Sequence, residues 1–411
     1  MITDIPMNDI PENTEFTTIP FGKLGIIAMP GCEEFAGKID KYISRWRQEN
    51  KALNDSPLSI AGYTKQSYLI DYNCPRFGSG EGKAVINQSV RGYDIFIIVD
   101  VFNYGVTYKM YGQTVPMSPD DHFANLKRVI NAIAGKAHRI TIVMPMLYEG
   151  RQHKRSSRES LDCAMALQEL VSMGVDSIIT FDAHDPRVQN SIPINGFENV
   201  SPIYQMIKTL IKTSPDIKFD PENIMVVSPD EGGMGRAIHY ATVLGVELGM
   251  FYKRRDYSRI VDGRNPILAH EFLGGKIEGK DVIVVDDMIS SGESMLEVAA
   301  KLKGLGANRI YVCTCFGLFC NGLEIFDEAY KNGIFERILT TNLVYRTPEL
   351  KSREWYAEVG MEKFIALITD TINHDLSISE LLNPSQKIKA ILEKHNAEIA
   401  KNSPSQMELG I

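Results

Sequence analysis

Positive charge is in short supply: 44 Lys and Arg stand against 52 Asp and Glu in 411 residues, a formal net charge of −8. General nucleic-acid binding needs a basic footprint, so the balance argues against that class. Long apolar runs are also missing, since none approaches the roughly 18 to 20 residues of a membrane span. Six cysteines in so long a chain do not form a disulfide framework. Cys313, Cys315 and Cys320 stand close together, but Cys313 and Cys315 alternate along a predicted strand, RIYVCTCFG, as small apolar core residues do. The N-terminal stretch MITDIPMNDIPENTEF is acidic and lacks the basic, then apolar, order of a signal peptide. A soluble cytoplasmic protein is expected, and a 44% hydrophobic content gives it material for a sizeable core.

Short apolar runs are plentiful and regularly spaced. Strands are predicted at 93–102, 139–147, 177–184, 224–230, 248–255, 281–287, 309–317 and 337–345. Between them, DDHFANLKRVINAIAGKA sets Phe123, Leu126, Ile130 and Ile133 at helical spacing. RESLDCAMALQELVSMG and SMLEVAAKLKGLG read the same way, each closing on the glycine that a helix C-terminus favours. Near-continuous apolar strands alternating with helices imply parallel sheets covered on both faces. The pattern occurs over 93–184 and again over 224–317, so two doubly wound α/β domains are predicted. The boundaries drawn are an extension at 1–20, domains at 21–202 and 203–349, a C-terminal helix packing on the core at 350–384, and a charged, partly helical tail at 385–411.

One stretch raises a chemical question. KDVIVVDDMISSGES runs four apolar residues, Val282 to Val285, straight into Asp286 and Asp287, then into a Ser/Gly turn and a helix. Ligands of open α/β sheets sit beyond the carboxyl ends of the strands. The turn Ser290–Ser294 offers backbone N–H groups and hydroxyls at a helix start, a site for phosphate. Ionised carboxylates only accept hydrogen bonds, so Asp286 and Asp287 call for a ligand with hydroxyl donors one sugar-length from its phosphate. A ribose 5-phosphate has that form. Strand–Asp–turn–helix also occurs in response regulators and hydrolases.

VIVVDDMISSGES resembles the phosphoribosyl-diphosphate (PRPP) loop of the type I phosphoribosyltransferase fold. Further segments resemble those of ribose-phosphate pyrophosphokinases: RFGSGEGKAVINQSVRGYDIFII, MPMLYEGRQHKR, ITFDAHDPRVQ, VVSPDEGGMGRA and YKRRDYSR. They occur in family order between about residues 76 and 382. The resemblance implies diphosphoryl transfer from MgATP to ribose 5-phosphate. It implies Lys253 and Arg255 as catalytic cations, and Phe77, Ser79, Glu81, Arg151 and Gln152 as ATP contacts. Asp286, Asp287, Ser290, Ser291, Gly292, Glu293 and Ser294 would hold the sugar phosphate, with His184 and Asp230 at Mg2+. It also implies a homo-oligomer, because the Phe77 segment reaches a neighbouring subunit's ATP site in the family. The connection DYSRIVDGRNPILAHEFLGG, with little periodicity, is read as a lid carrying Lys253 and Arg255.

Several positions depart from the family. Ser290 and Ser291 replace an Asp-Thr pair, Glu293 a small residue, and His153 an aspartate, while the segment 44–69 and the tail are additions. These departures keep open a different ribose-phosphate acceptor. A non-catalytic regulatory homologue and a phosphoribosyltransferase, which shares the PRPP loop, are the other readings.

Overall fold

The apolar runs are strands because every side chain in them finds cover. YDIFII, RITIV and SIITF each bury all but the first residue, the signature of strands packed on both faces. The computed structural model describes residues 18–49, 62–255 and 267–402. In it the first sheet has five parallel strands in sequence order: β1 (Lys23–Ala28), β2 (Tyr93–Ile98), β3 (Arg139–Val143), β4 (Ser177–Phe181) and β5 (Gly196–Val200). Helices α2 (Pro119–Ile133) and α3 (Asp162–Ser172) cover one face. Helix α1 (Glu33–Glu49) covers the other, in a core shared with the second domain.

The second sheet has seven strands: β6 (Ile224–Ser228), β7 (Glu247–Arg255), β8 (Ile267–Leu273), β9 (Asp281–Ile289), β10 (Ile310–Gly317), β11 (Arg337–Thr341) and β12 (Tyr356–Val359). Their order is β8-β7-β6-β9-β10-β11-β12, parallel except for β8, which runs antiparallel to β7. Going outward from β6, the chain first builds β7 on one side and then returns to lay β9 on the other. That reversal is a topological switch point, where the strand ends splay and leave a crevice. The first sheet has no such reversal. Helices α4 (Ile203–Thr213), α5 (Met234–Leu244), α6 (Glu293–Gly304) and α7 (Glu324–Lys331) complete the second domain.

The long connection after β7 is only partly irregular. Ile267–Leu273 forms an antiparallel hairpin with β7, pairing Lys253 with His270 and Arg255 with Ile267. Phe272 packs on Phe251, and Gly249 leaves it room, since a Cβ there would stand 2.7 Å from the Phe272 ring. An edge strand has one sheet neighbour and carries polar residues, so its period is faint in the sequence. The remaining lid residues, 256–266, lie outside the described residues.

Beyond residue 349, β12 extends the second sheet and α8 (Glu362–Asn373) returns to the first domain. There Arg47 of α1, 2% exposed, donates to Asp370 Oδ1 at 2.8 Å and to Asn373 Oδ1 at 2.6 Å. The tail does form a helix, α9 (Ser385–Asn402), as its charged pattern suggests, and residues after 402 are not described. It packs on α4 and α5, with Ile388 and Leu392 buried and His395 bonded to the Ile217 carbonyl at 2.8 Å. Among the described residues no helix is long and apolar enough to cross a membrane.

Ile388 therefore anchors a helix remote from the strand ends. Ile388→Ala is expected to lower stability by about 2 to 4 kcal/mol in urea denaturation while leaving turnover per folded molecule unchanged. A folded variant without turnover would contradict the peripheral role of α9.

Candidate active site

Period-2 alternation puts Asp287 on the same face of β9 as Ile283 and Val285, which pack in the core shared between domains. Asp287 thus faces the first domain, where the chain just past β4 presents His184. The His184 ring Nδ1 donates to Asp287 Oδ2 at 2.7 Å. That bond fixes the tautomer and leaves the other ring nitrogen for a ligand. It also raises the His184 pKa.

A second bond across the domains lies beside it. Asp182, one residue past β4 and held at a left-handed φ of 42°, receives Arg236 Nε at 2.7 Å on both oxygens. Arg236, in the first turn of α5, also has its Nη1 3.5 Å from Asp286 Oδ1. One nearly buried guanidinium thus serves a cluster of three carboxylates. Burial raises the pKa of Asp182 against the pull of Arg236. Burial and the neighbouring charge of Asp287 raise Asp286 well above the ordinary range. Burial would also raise Asp287, but the His184 hydrogen bond and Arg236 outweigh it and hold it low. The adjacent carboxyls are thereby split: Asp287 is the ionised acceptor, and Asp286 is the one that takes up a proton.

The turn after β9 is shaped by Gly292. Its φ is 94°, and a Cβ there would stand 2.0 Å from the Phe326 ring, so only glycine fits. The turn leads Ser290, Ser291, Gly292, Glu293 and Ser294 into the start of α6, whose first cap has no side-chain partner. Glu293 is exposed at this helix start, where a carboxylate suits the helix dipole. Across the switch point, Asp230 closes the loop after β6: its Oδ1 accepts from Gly232 N at 2.9 Å and Gly233 N at 3.2 Å.

Between the domains lies a cleft of about 140 Å³. Arg151 and His184 line it from the first domain, Asp287 and Met288 from the second, with Phe102 and Phe181 in its apolar wall. Arg151, His184 and Asp287, which are 136 residues apart at the extremes of the sequence (287 − 151), are thus brought together. Others are not. Gln152 turns its amide to the Ser160 carbonyl at 2.8 Å and does not line the cleft. Phe77, 53% exposed, and Ser79 and Glu81, hydrogen-bonded to each other at 2.8 Å, occupy an outer turn. Lys253 and Arg255 sit on β7. Met250 pairs with Ser228, the last residue of β6, so Lys253 stands three residues, or about 10 Å, past the end of β6.

Sequence reasoning passed over Arg236 within GGMGRA. Its available signal was a basic residue three positions after Gly233, in a helix that opens beside a phosphate turn. His153 was noted only as a departure; its ring centroid lies 5.2 Å from that of His184, and its Nε2 lies 3.5 Å from Asp185 Oδ2.

Comparisons with known proteins give the family. Residues 24–174 match the N-terminal domain of ribose phosphate pyrophosphokinase, and 197–351 the phosphoribosyl transferase domain. A ribose-phosphate pyrophosphokinase of Prochlorococcus marinus subsp. pastoris is 30% identical over 299 residues, covering 69% of this chain and 81% of that protein. The chain belongs to the ribose-phosphate pyrophosphokinase family. With membership comes the enzyme class, ribose-phosphate diphosphokinase. The namesake from Vibrio parahaemolyticus is 28% identical over 319 residues, 77% of this chain and 92% of that one. In fold, the chain is similar to phosphoribosylpyrophosphate synthetase from Mycobacterium smegmatis, with a TM-score of 0.66, 19% identity and coverage of 86% of this chain and 99% of that one. Type I phosphoribosyltransferase-like α/β domains, two of them, are thus the architecture.

Arg236 holds the carboxylate cluster together. Arg236→Met is expected to cost about 3 to 5 kcal/mol in urea denaturation, since it strands buried carboxylates. Adding Asp182→Leu should recover part of that loss. Additive losses in the double variant would show that the pair is not coupled.

Proposed function

We propose that the protein transfers the diphosphoryl group of MgATP to the 1-hydroxyl of ribose 5-phosphate, giving PRPP and AMP. The observation that carries this reading is the meeting of Arg151 and His184 with Asp287 in one interdomain cleft. A phosphoribosyltransferase would use the second domain alone and leave Arg151 and His184 without a task.

The geometry suits the two substrates. The phosphate of ribose 5-phosphate lies against the N–H groups of the 290–294 turn, and the sugar hydroxyls meet the Asp286–Asp287 pair. Because the pair is split, it can both accept from and donate to neighbouring hydroxyls. ATP lies with its phosphates toward Arg151 and His184. The 1-hydroxyl oxygen then forms a bond to the β-phosphorus and gives up its proton to solvent, while the bond from that phosphorus to the α-phosphate oxygen breaks and AMP departs with the electron pair. Alignment and charge stabilisation supply most of the catalysis in such a transfer. Lys253 and Arg255 stand on the hairpin that runs past the end of β6, and their role is to neutralise charge on the transferring group.

Among the described residues, no group of three His, Cys, Asp or Glu is placed to hold a metal. That arrangement suits magnesium carried in on the triphosphate, which needs only one or two protein contacts. His184, with one ring nitrogen committed to Asp287, and Asp230 are the residues that would meet it. When bound, the ion neutralises phosphate charge. The exposed Phe77 turn fits a contact with a second subunit, so the working form is a homo-oligomer with shared ATP sites, located in the cytoplasm. The exposed Glu293 beside the phosphate turn favours one second reading, a pyrophosphokinase acting on a different ribose phosphate.

Incubation with MgATP and ribose 5-phosphate is expected to yield AMP, seen on nucleotide separation, only when the sugar is present. Formation of ADP, or no dependence on the sugar, would refute the reaction. Lys253→Ala should lower kcat by about two to three decades, roughly 3 to 4 kcal/mol, with little change in KM, as for an interaction made mainly in the transition state. Wild-type turnover would leave Lys253 a surface residue.

Asp286→Ala should weaken ribose 5-phosphate binding in calorimetry and leave MgATP binding little changed. The reverse pattern would remove Asp286 from the sugar site.

A further inference from the structure

A larger cavity than the cleft lies elsewhere, where Tyr42 of α1 meets the second domain. It measures about 470 Å³ and sits between α4, β12, α8 and the start of α9. Small-molecule sites typically span roughly 300 to 1,000 Å³ and are mostly apolar with a few polar groups, which this cavity matches. Tyr42, Tyr204, Tyr356, Phe364 and Leu367 supply ring and alkyl surface.

Its charge is one-sided. Lys208, Lys212, Arg337, Lys363 and Lys387 line it, against Glu358, Glu362 and Glu380. Two of those carboxylates have cationic partners that do not line the cavity: Glu358 accepts from Arg346 at 2.8 Å, and Glu362 lies 3.3 Å from Lys38. Five cations thus line the cavity with three carboxylates, two of which are also paired outside it.

We propose that this cavity is a second ligand site, separate from the cleft, for a small organic anion: a planar ring bearing a carboxylate, sulfonate or phosphate. The ring lies among the tyrosines and Phe364, and the acidic group lies toward the lysines and Arg337. Pro384 and Lys387 close one side, and both belong to the segment beyond residue 351, where the family match ends. The site is thus completed by an addition to the shared two-domain core.

The test uses the full chain and 8-anilinonaphthalene-1-sulfonate, an aromatic anion whose fluorescence rises on binding. One saturable site per chain is expected, unaffected by saturating ATP. The double variant Lys212→Glu/Lys387→Glu reverses two exposed charges and should weaken binding by roughly tenfold. Leu367→Trp fills the cavity and should abolish binding, with circular dichroism confirming the fold. If Leu367→Trp misfolds, the surface charge pair still decides. Absence of saturable binding, displacement by ATP, or an affinity unchanged in the folded variants would overturn the site.

Discussion

The hydrogen bond from His184 to Asp287 joins the two sheets at their carboxyl ends, and the candidate site exists only where it closes. Alongside it, Arg236 gathers Asp182 from the first domain and Asp286 from the second into one network. A lone buried carboxylate would simply protonate, because desolvation disfavours its charge. Here burial is outweighed at Asp287 by His184 and Arg236, which hold its pKa low, while burial and the charge of Asp287 raise that of Asp286. The network therefore does more than fasten two domains: it pushes the pKa values of two neighbouring carboxyls apart.

Topology explains why the network lies where it does. The first sheet runs in sequence order and offers only loops at its carboxyl edge, whereas the second reverses between β6 and β9. The crevice at that reversal receives the Asp230 loop on one side and the Gly292 turn on the other. Loops from the first sheet, with Arg151 and His184, then close it from above. Helix α8 helps hold this arrangement from the amino-terminal ends of the first sheet's strands, through the buried Arg47–Asp370 pair.

Much of the fold was legible in local pattern. The eight strands read from apolar runs are all present, since a strand buried on both faces declares itself by composition alone. Elements with one exposed face were harder. β8 falls in a stretch that reads as loop, and β5 mixes polar and apolar residues; β1 and β12 are short and mostly buried, and the spacing of the longer runs does not point to them. The packing of α9 was equally hidden: Ile388, Leu392 and His395 form a narrow stripe in an otherwise charged helix.

For the site, sequence by itself determined the chemistry available: two aspartates at a strand end, a glycine turn for an anion, and a histidine flanked by acids. Local chain geometry suffices for these, because a strand terminus and the turn after it are set by neighbouring residues. Tertiary structure alone decided which carboxylate meets His184, which is ionised, and that Arg236 lies between them. Those outcomes depend on distances across domains and on desolvation, and neither is encoded in spacing along the chain.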